Sequence, residues 1–165
     1  MTQKIFIIIT LLLAQTVSAQ SLCESWMATL SDATPVCKLS IPGTHDSGTS
    51  GVRLPMRHYA RTQTLDLPSQ WNAGIRFFDL RPRLEDGTLR IYHGPADCHL
   101  GFQEALLILK RKLEEQPTEF CIVMTNSAGG GQEGVDMTMD AIYAIFPTDM
   151  LASFHADMTV ADMRG

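Results

Sequence analysis

The sequence predicts an α/β fold built on parallel strands, and three observations lead there. Strand-like and helical runs alternate along the chain. The apolar run "EFCIVMTN" (119–126) lacks polar alternation, as expected of a strand covered on both faces. Three strand-like runs also end in residues capable of acid-base chemistry. The 165 residues, 45% of them hydrophobic, suffice for one domain with a core.

At the N-terminus, Lys4 precedes "IFIIITLLLAQTV", and Ser18-Ala19 follows. A basic start, a short apolar run and a small-residue site read as a secretory signal over residues 1–19, cleaved after Ala19. The run is shorter than the roughly 20 residues that cross a bilayer. The expectation is a secreted or periplasmic protein whose domain occupies residues 20–165. Export permits disulfides. Of the four cysteines, Cys23 and Cys37 form the first pair to test, because both precede the first strong motif. Cys121, inside the apolar run, reads as a buried free thiol. No pair has C-x-x-C spacing, so a zinc site of cysteines has no support.

The formal charge of −5, without a basic stripe, argues against nucleic acid as a partner. One local exception is "RLPMRHYAR", where Pro55 would start a short helix with Arg57 and Arg61 on one face. Such a face could meet anionic headgroups, although a solvated surface is the simpler reading.

Taken in order, "SLCESWMATL" has the pattern of a short amphipathic helix. "VCKLSI" is strand-like and halts at Pro42-Gly43. "LPSQWNAG" is helical, with Pro68 near its start and Gly74 as its stop. "IRFFDLRPR" and "TLRIYHG" read as strands joined by the turn "EDG", too tight a link for an ordinary crossover. Over residues 102–115, Phe102, Ala105, Leu106, Leu109 and Leu113 keep the helical period, and Pro117 closes the segment. After the 119–126 strand, "SAGGGQEG" reads as a loop and "VDMTMDAIYAIF" as a second amphipathic helix ended by Pro147. Trp26, Trp71 and the nine methionines are read as packing, and His58, His99 and His155 as surface or loop residues.

The chemistry gathers at strand ends. "IPGTHDSG" presents His45 beside Asp46 on a turn. In "IRFFDLRPR", period two places Asp79 and Arg81 on one face, either as a structural ion pair or as an arginine held to meet a phosphate. "IYHGP" ends a strand with His93. Polar residues at the carboxyl ends of several strands are where barrels of parallel strands build catalysis.

Three segments, "LSIPGTHDSG", "IRFFDLRPRLEDGTLRIYHGP" and "FQEALLILKRKLEEQPTEFCIVM", together resemble the X domain of bacterial phosphatidylinositol-specific phospholipase C from about Cys37 onward. The resemblance implies a distorted, incompletely closed TIM-type (β/α) barrel, of which this chain holds only the first half and is C-terminally truncated. It implies cleavage of phosphatidylinositol, or a glycosyl-phosphatidylinositol anchor, to diacylglycerol and inositol 1,2-cyclic phosphate. His45 matches the general base, His93 the general acid, and Asp46 the carboxylate supporting the acid. Asp79 and Arg81 match the carboxylate and arginine at the phosphate. Calcium-dependent relatives carry a carboxylate where Arg81 stands, so the resemblance implies no metal and no cofactor. Its partners would be membrane phosphatidylinositol, met by peripheral contact, or soluble inositol phosphodiesters. Where the family often has a lysine for inositol, Asn126 and Ser127 offer uncharged hydrogen bonds. The carboxylate orienting the base histidine would lie beyond Gly165. A catalytically inactive, phospholipid-binding fragment is the alternative.

Overall fold

A computed structural model describes residues 22–126, 129–153 and 155–164. The signal-like segment 1–19 and Ser127 lie outside the described residues. In chain order the elements are β1 (Gly43–Thr44), α1 (Arg57–Ala60), α2 (Leu67–Asn72), β2 (Phe77–Leu80), β3 (Pro82–Glu85), β4 (Thr88–His93), β5 (Ala96–Gly101), α3 (Phe102–Glu115), β6 (Ile122–Thr125), α4 (Gly131–Ile145) and α5 (Val160–Met163). Two three-stranded sheets result. One is parallel, in the order β1-β2-β6; the other is antiparallel, in the order β3-β4-β5.

The expected helices form where their signals are local. Asp66 caps α2 by accepting the Ser69 N–H at 3.0 Å, and Gly74 ends the segment at φ +94°. α3 spans Phe102–Glu115 and buries Phe102, Ala105, Leu106 and Leu109, the stripe its period requires. These residues join Trp71, Phe78, Leu80 and Leu89 in the main core. A smaller cluster of Met27, Phe120 and Val160 ties the first described residues to the last.

Several expectations shift. The strand expected over "VCKLSI" is instead a 3-10 turn at Val36–Lys38, and the strand forms after Pro42, at Gly43–Thr44. Parallel pairing with Phe77 selects that position: a Cβ on Gly43 would stand 2.9 Å from Phe77 Cβ. "SLCESWMATL" becomes a helical turn at residues 22–24 and a 3-10 turn at Trp26–Thr29. The single strand expected over "IRFFDLRPR" breaks at Arg81, where the chain leaves the parallel sheet for the β3–β4 hairpin. β5 has no counterpart in the sequence reading. The run 119–126 is strand only over Ile122–Thr125, pairs with β2 alone among the described residues, and leaves Met124 43% exposed. Among the described residues it therefore ends the parallel sheet, and the exposed Met124 side chain shows that it is not covered on both faces.

α4 begins at Gly131, four residues before the expected start, on Gly130 in the left-handed region at φ +86°. Here glycine answers a close approach, since a Cβ on Gly130 would lie 2.9 Å from Leu84 Cβ. Arg61 does not share a helix face with Arg57, because α1 stops at Ala60 and the Arg61 guanidinium binds the carbonyls of Gln63 and Thr64. Met27 and Met158 are buried as expected, whereas Met124 and Met139 are exposed.

All four cysteines are free thiols, so the Cys23–Cys37 bridge is not formed. Cys23 and Cys37 are exposed, Cys98 is buried and Cys121 is half-buried. Burial pushes the Cys98 and Cys121 thiols up to about 12. The thiolate is the reactive form. Titration of the native protein with a thiol reagent at pH 8 should therefore give two fast groups, Cys23 and Cys37, and release the other two only on unfolding.

Candidate active site

The "THDS" turn is held from three sides. Ser47 N–H donates to the Asp79 carbonyl at 2.8 Å, and Asp79 N–H donates to Ser47 Oγ at 2.9 Å, so the β1 turn is laced to β2. Gln70 of α2 donates to the Ser47 carbonyl at 2.8 Å and accepts from Thr44 Oγ1 at 2.7 Å. The His45 carbonyl accepts from Thr62 Oγ1 at 3.0 Å and Gln63 Nε2 at 2.8 Å. Within this frame Asp46 sits at φ +49°, a left-handed conformation that aspartate tolerates better than most residues. The backbone thereby sends adjacent side chains in different directions. The His45 side chain is 62% exposed, while that of Asp46 is 1% exposed.

Five of the six described residues expected to form the site come together. Asp46 Oδ2 lies 3.0 Å from His45 Nε2 and 3.0 Å from His93 Nδ1, and Arg81 Nε lies 3.0 Å from Asp46 Oδ1. Asp79 Oδ2 lies 3.0 Å from His45 Nδ1 and 2.9 Å from an Arg81 terminal nitrogen. The two imidazoles stand edge to face with centroids 6.3 Å apart. Asn126, the sixth, is exposed just beyond β6 and has no recorded contact with the other five. The resemblance put the orienting carboxylate of the base histidine beyond Gly165; in the structure His45 already has a carboxylate at each ring nitrogen.

The electrostatics follow from burial and contact. Burial alone would raise the Asp79 carboxyl. The hydrogen bonds from Arg81 and the Asp46 N–H, with the charges of Arg81 and His45, outweigh it and hold the group below the ordinary 3.8. The Asp79 hydrogen bond in turn raises Arg81. A carboxyl depressed on folding contributes stability that is complete above its unfolded value and lost as pH falls through the folded one. Urea midpoints should therefore decline below about pH 4, and Asp79→Asn should remove that share of the decline.

Asp46 is different. Both its oxygens and His93 Nδ1 are buried without a properly directed hydrogen bond, although the Arg81 guanidinium and the two imidazoles stand 3.0 Å from the carboxylate. Such groups are uncommon in folded proteins and mark places kept for something other than packing. His45, Asp46 and Asp79 together place one nitrogen and two oxygen donors within 4.8 Å of one another, a set that could hold a cation. Arg81 now supplies the positive charge beside both carboxylates.

Sequence reading missed the frame: Ser47, Gln70, Thr62 and Gln63 gave no signal, because their partners are distant in the chain. It also missed Arg76. This residue precedes β2, is fully buried, and pairs with equally buried Glu119 at 2.9 Å, over the Trp71 ring at 3.9 Å. Burial lowers its pKa, with the Glu119 charge opposing. His99, read as a surface or loop residue, is exposed but lies in β5, where it contacts Asp97 at 3.3 Å.

Two histidines, two aspartates and an arginine thus gather from the turn after β1, from the end of β2 and the residue following it, and from the end of β4, in a mixed α/β arrangement similar to part of the TIM-type barrels of phosphatidylinositol-specific phospholipases C. The solved Listeria monocytogenes enzyme of that name superposes with a TM-score of 0.73 at 27% identity, covering 86% of this chain and 54% of that one. A Staphylococcus aureus phosphatidylinositol-specific phospholipase C gives 0.74 at 25%, covering 86% and 50%.

In sequence, the chain is related to the 1-phosphatidylinositol phosphodiesterase of S. aureus strain Newman, 30% identical over 122 residues, 73% of this chain and 39% of that protein. The L. monocytogenes protein of the same name is 29% identical over 150 residues, 86% of this chain and 46% of that one. The chain thus spans less than half the length of these curated relatives. No family model matches it.

Proposed function

We propose that the chain carries the acid-base half of a phosphodiesterase that cleaves phosphatidylinositol, or a glycosyl-phosphatidylinositol, to diacylglycerol and inositol 1,2-cyclic phosphate. The observation that carries this reading is Asp46, within 3.0 Å of both histidines and of Arg81. His45 takes the proton of the inositol 2-hydroxyl, which attacks phosphorus. To do so it keeps its Asp79 contact and turns Nε2 from Asp46 towards substrate. His93, steadied by Asp46, protonates the departing diacylglycerol oxygen. Arg81, pinned by two carboxylates, offsets the charge growing on the phosphorane. Water then opens the cyclic product by the reverse proton transfers. Asn126, exposed after β6, would offer an uncharged hydrogen bond to inositol, as would Ser127, which lies outside the described residues.

Exposed Leu54 and Tyr59, beside exposed Arg57, support peripheral membrane contact. The signal-like segment supports export, to the periplasm or beyond the cell. With Arg81 already on both carboxylates, turnover is expected to persist in EDTA; loss in chelator that Ca²⁺ restores would overturn the metal-free mechanism.

One observation favours the inactive, lipid-binding alternative. β6 has a single partner strand among the described residues, and the chain matches only about half of the solved enzymes. An open edge with unpaired backbone groups invites association. Residues 20–165 alone are therefore expected to turn over little and to self-associate on a sizing column. The deciding experiment assays a soluble inositol phosphodiester with that chain, and with a hybrid that adds the part of the staphylococcal enzyme it does not cover. Turnover by either supports the diesterase. Binding to phosphatidylinositol vesicles with no turnover by either supports the alternative.

A further inference from the structure

We propose that His45, Asp46 and Asp79 form a binding site for a zinc-class transition-metal ion, and that its occupancy holds the site inactive. The observations are geometric. One imidazole nitrogen and two carboxylate oxygens lie within 4.8 Å of one another. The Asp46 side chain is 99% buried, faces the cluster, and has no directed hydrogen bond at either oxygen. His93 Nδ1, also without a directed hydrogen bond, stands 3.0 Å from Asp46 Oδ2 and offers a fourth donor. Two carboxylates face one guanidinium, so with neutral imidazoles the cluster is one positive charge short of balance. The Arg81 side chain is 29% exposed and can turn into solvent as a cation enters.

The donor set selects the metal. Mixed imidazole and carboxylate ligands suit Zn²⁺ and its neighbours, whereas Ca²⁺ and Mg²⁺ favour oxygen-only shells. A metal ion on His45 occupies the lone pair that would take the substrate proton. It also separates Arg81 from the carboxylates that aim it. Zinc would thus act as an inhibitor and not as a cofactor, consistent with turnover that survives EDTA.

The test is titration of the full chain, labelled with ¹⁵N-histidine, with ZnCl₂ followed by NMR, and with CoCl₂ as a paramagnetic substitute. His45 and His93 ring signals should move first and saturate together, EDTA should reverse the change, and CaCl₂ or MgCl₂ should not produce it. Asp79→Asn should weaken zinc by at least about tenfold, while Arg81→Ala, which removes the competing cation, should tighten it. First shifts at His58, His99 or His155, equal response to Ca²⁺, or weaker binding in Arg81→Ala would each overturn the proposal. If Asp79→Asn fails to fold, the order of histidine shifts in the unmodified chain decides. None of these readouts needs turnover. A protein that binds zinc here without diesterase activity keeps the binding site and loses both the inhibition and the proposed function; an active enzyme whose histidines ignore zinc loses this inference and keeps the function.

Discussion

Glu119→Ala is expected to destabilise the protein by about 3–5 kcal/mol, the usual consequence of leaving one member of a buried ion pair alone. The partner left behind is Arg76, whose side chain has no solvent exposure. Its Nε and a terminal nitrogen both reach Glu119 Oε2, at 3.0 and 2.9 Å, and its remaining hydrogen bonds go to the carbonyls of Trp71, Ile75 and Glu24. No water can replace the lost carboxylate without opening the core around Trp71. Arg76 immediately precedes β2, and its carbonyl accepts from Ile122 N–H at 2.8 Å, so the pair fixes where the parallel sheet begins. The paired replacement Arg76→Met with Glu119→Leu should recover most of the loss, because it removes both charges from the interior. Equilibrium urea unfolding of the three variants measures this. A Glu119→Ala protein as stable as its parent would mean that the pair is solvated in solution.

His45→Ala and His93→Ala are each expected to lower turnover by about 10²–10⁴-fold, the usual worth of a positioned general base or acid. The measurement uses whichever form turns over a soluble inositol phosphodiester, the chain or the hybrid that completes it. The two histidines should separate by leaving group. A phenolate that departs without protonation should shrink the His93→Ala defect and leave the His45→Ala defect intact, since the 2-hydroxyl still needs its base. The unmodified protein should give a bell-shaped pH profile, one imidazole neutral and the other protonated, and each alanine variant should lose one limb. Equal defects for both leaving groups would remove the assigned roles.

The exposed edge of β6 shows how a correct element can carry an incorrect environment. The apolar run predicts a strand, and one forms over Ile122–Thr125, but it pairs only with β2 among the described residues and leaves Met124 43% exposed. Strand propensity belongs to the residues; burial belongs to what comes to rest against them.

The same division runs through the site. His45-Asp46 on a Gly- and Ser-rich turn, Asp79 and Arg81 two apart, and His93 before a glycine were legible because their signals lie within a few residues. The helix Phe102–Glu115 was legible through its period. What only tertiary structure decided is which of these groups share a partner. Asp46, just after β1 of the parallel sheet, meets His93 at the end of β4 in the antiparallel sheet, Asp79 takes a ring nitrogen of His45 from 34 positions away, and Gln70 props the turn from a helix whose sequence signals only helix. The start of β1 at Gly43 and of α4 just after Gly130 were set in the same way, by Phe77 and Leu84 pressing on Gly43 and Gly130 where a Cβ would not fit. Periodicity and turn chemistry are short-range properties of a chain. Ion pairs, close backbone approaches and the choice of a sheet edge depend on distances between residues far apart in the chain, and these take values only when the core closes.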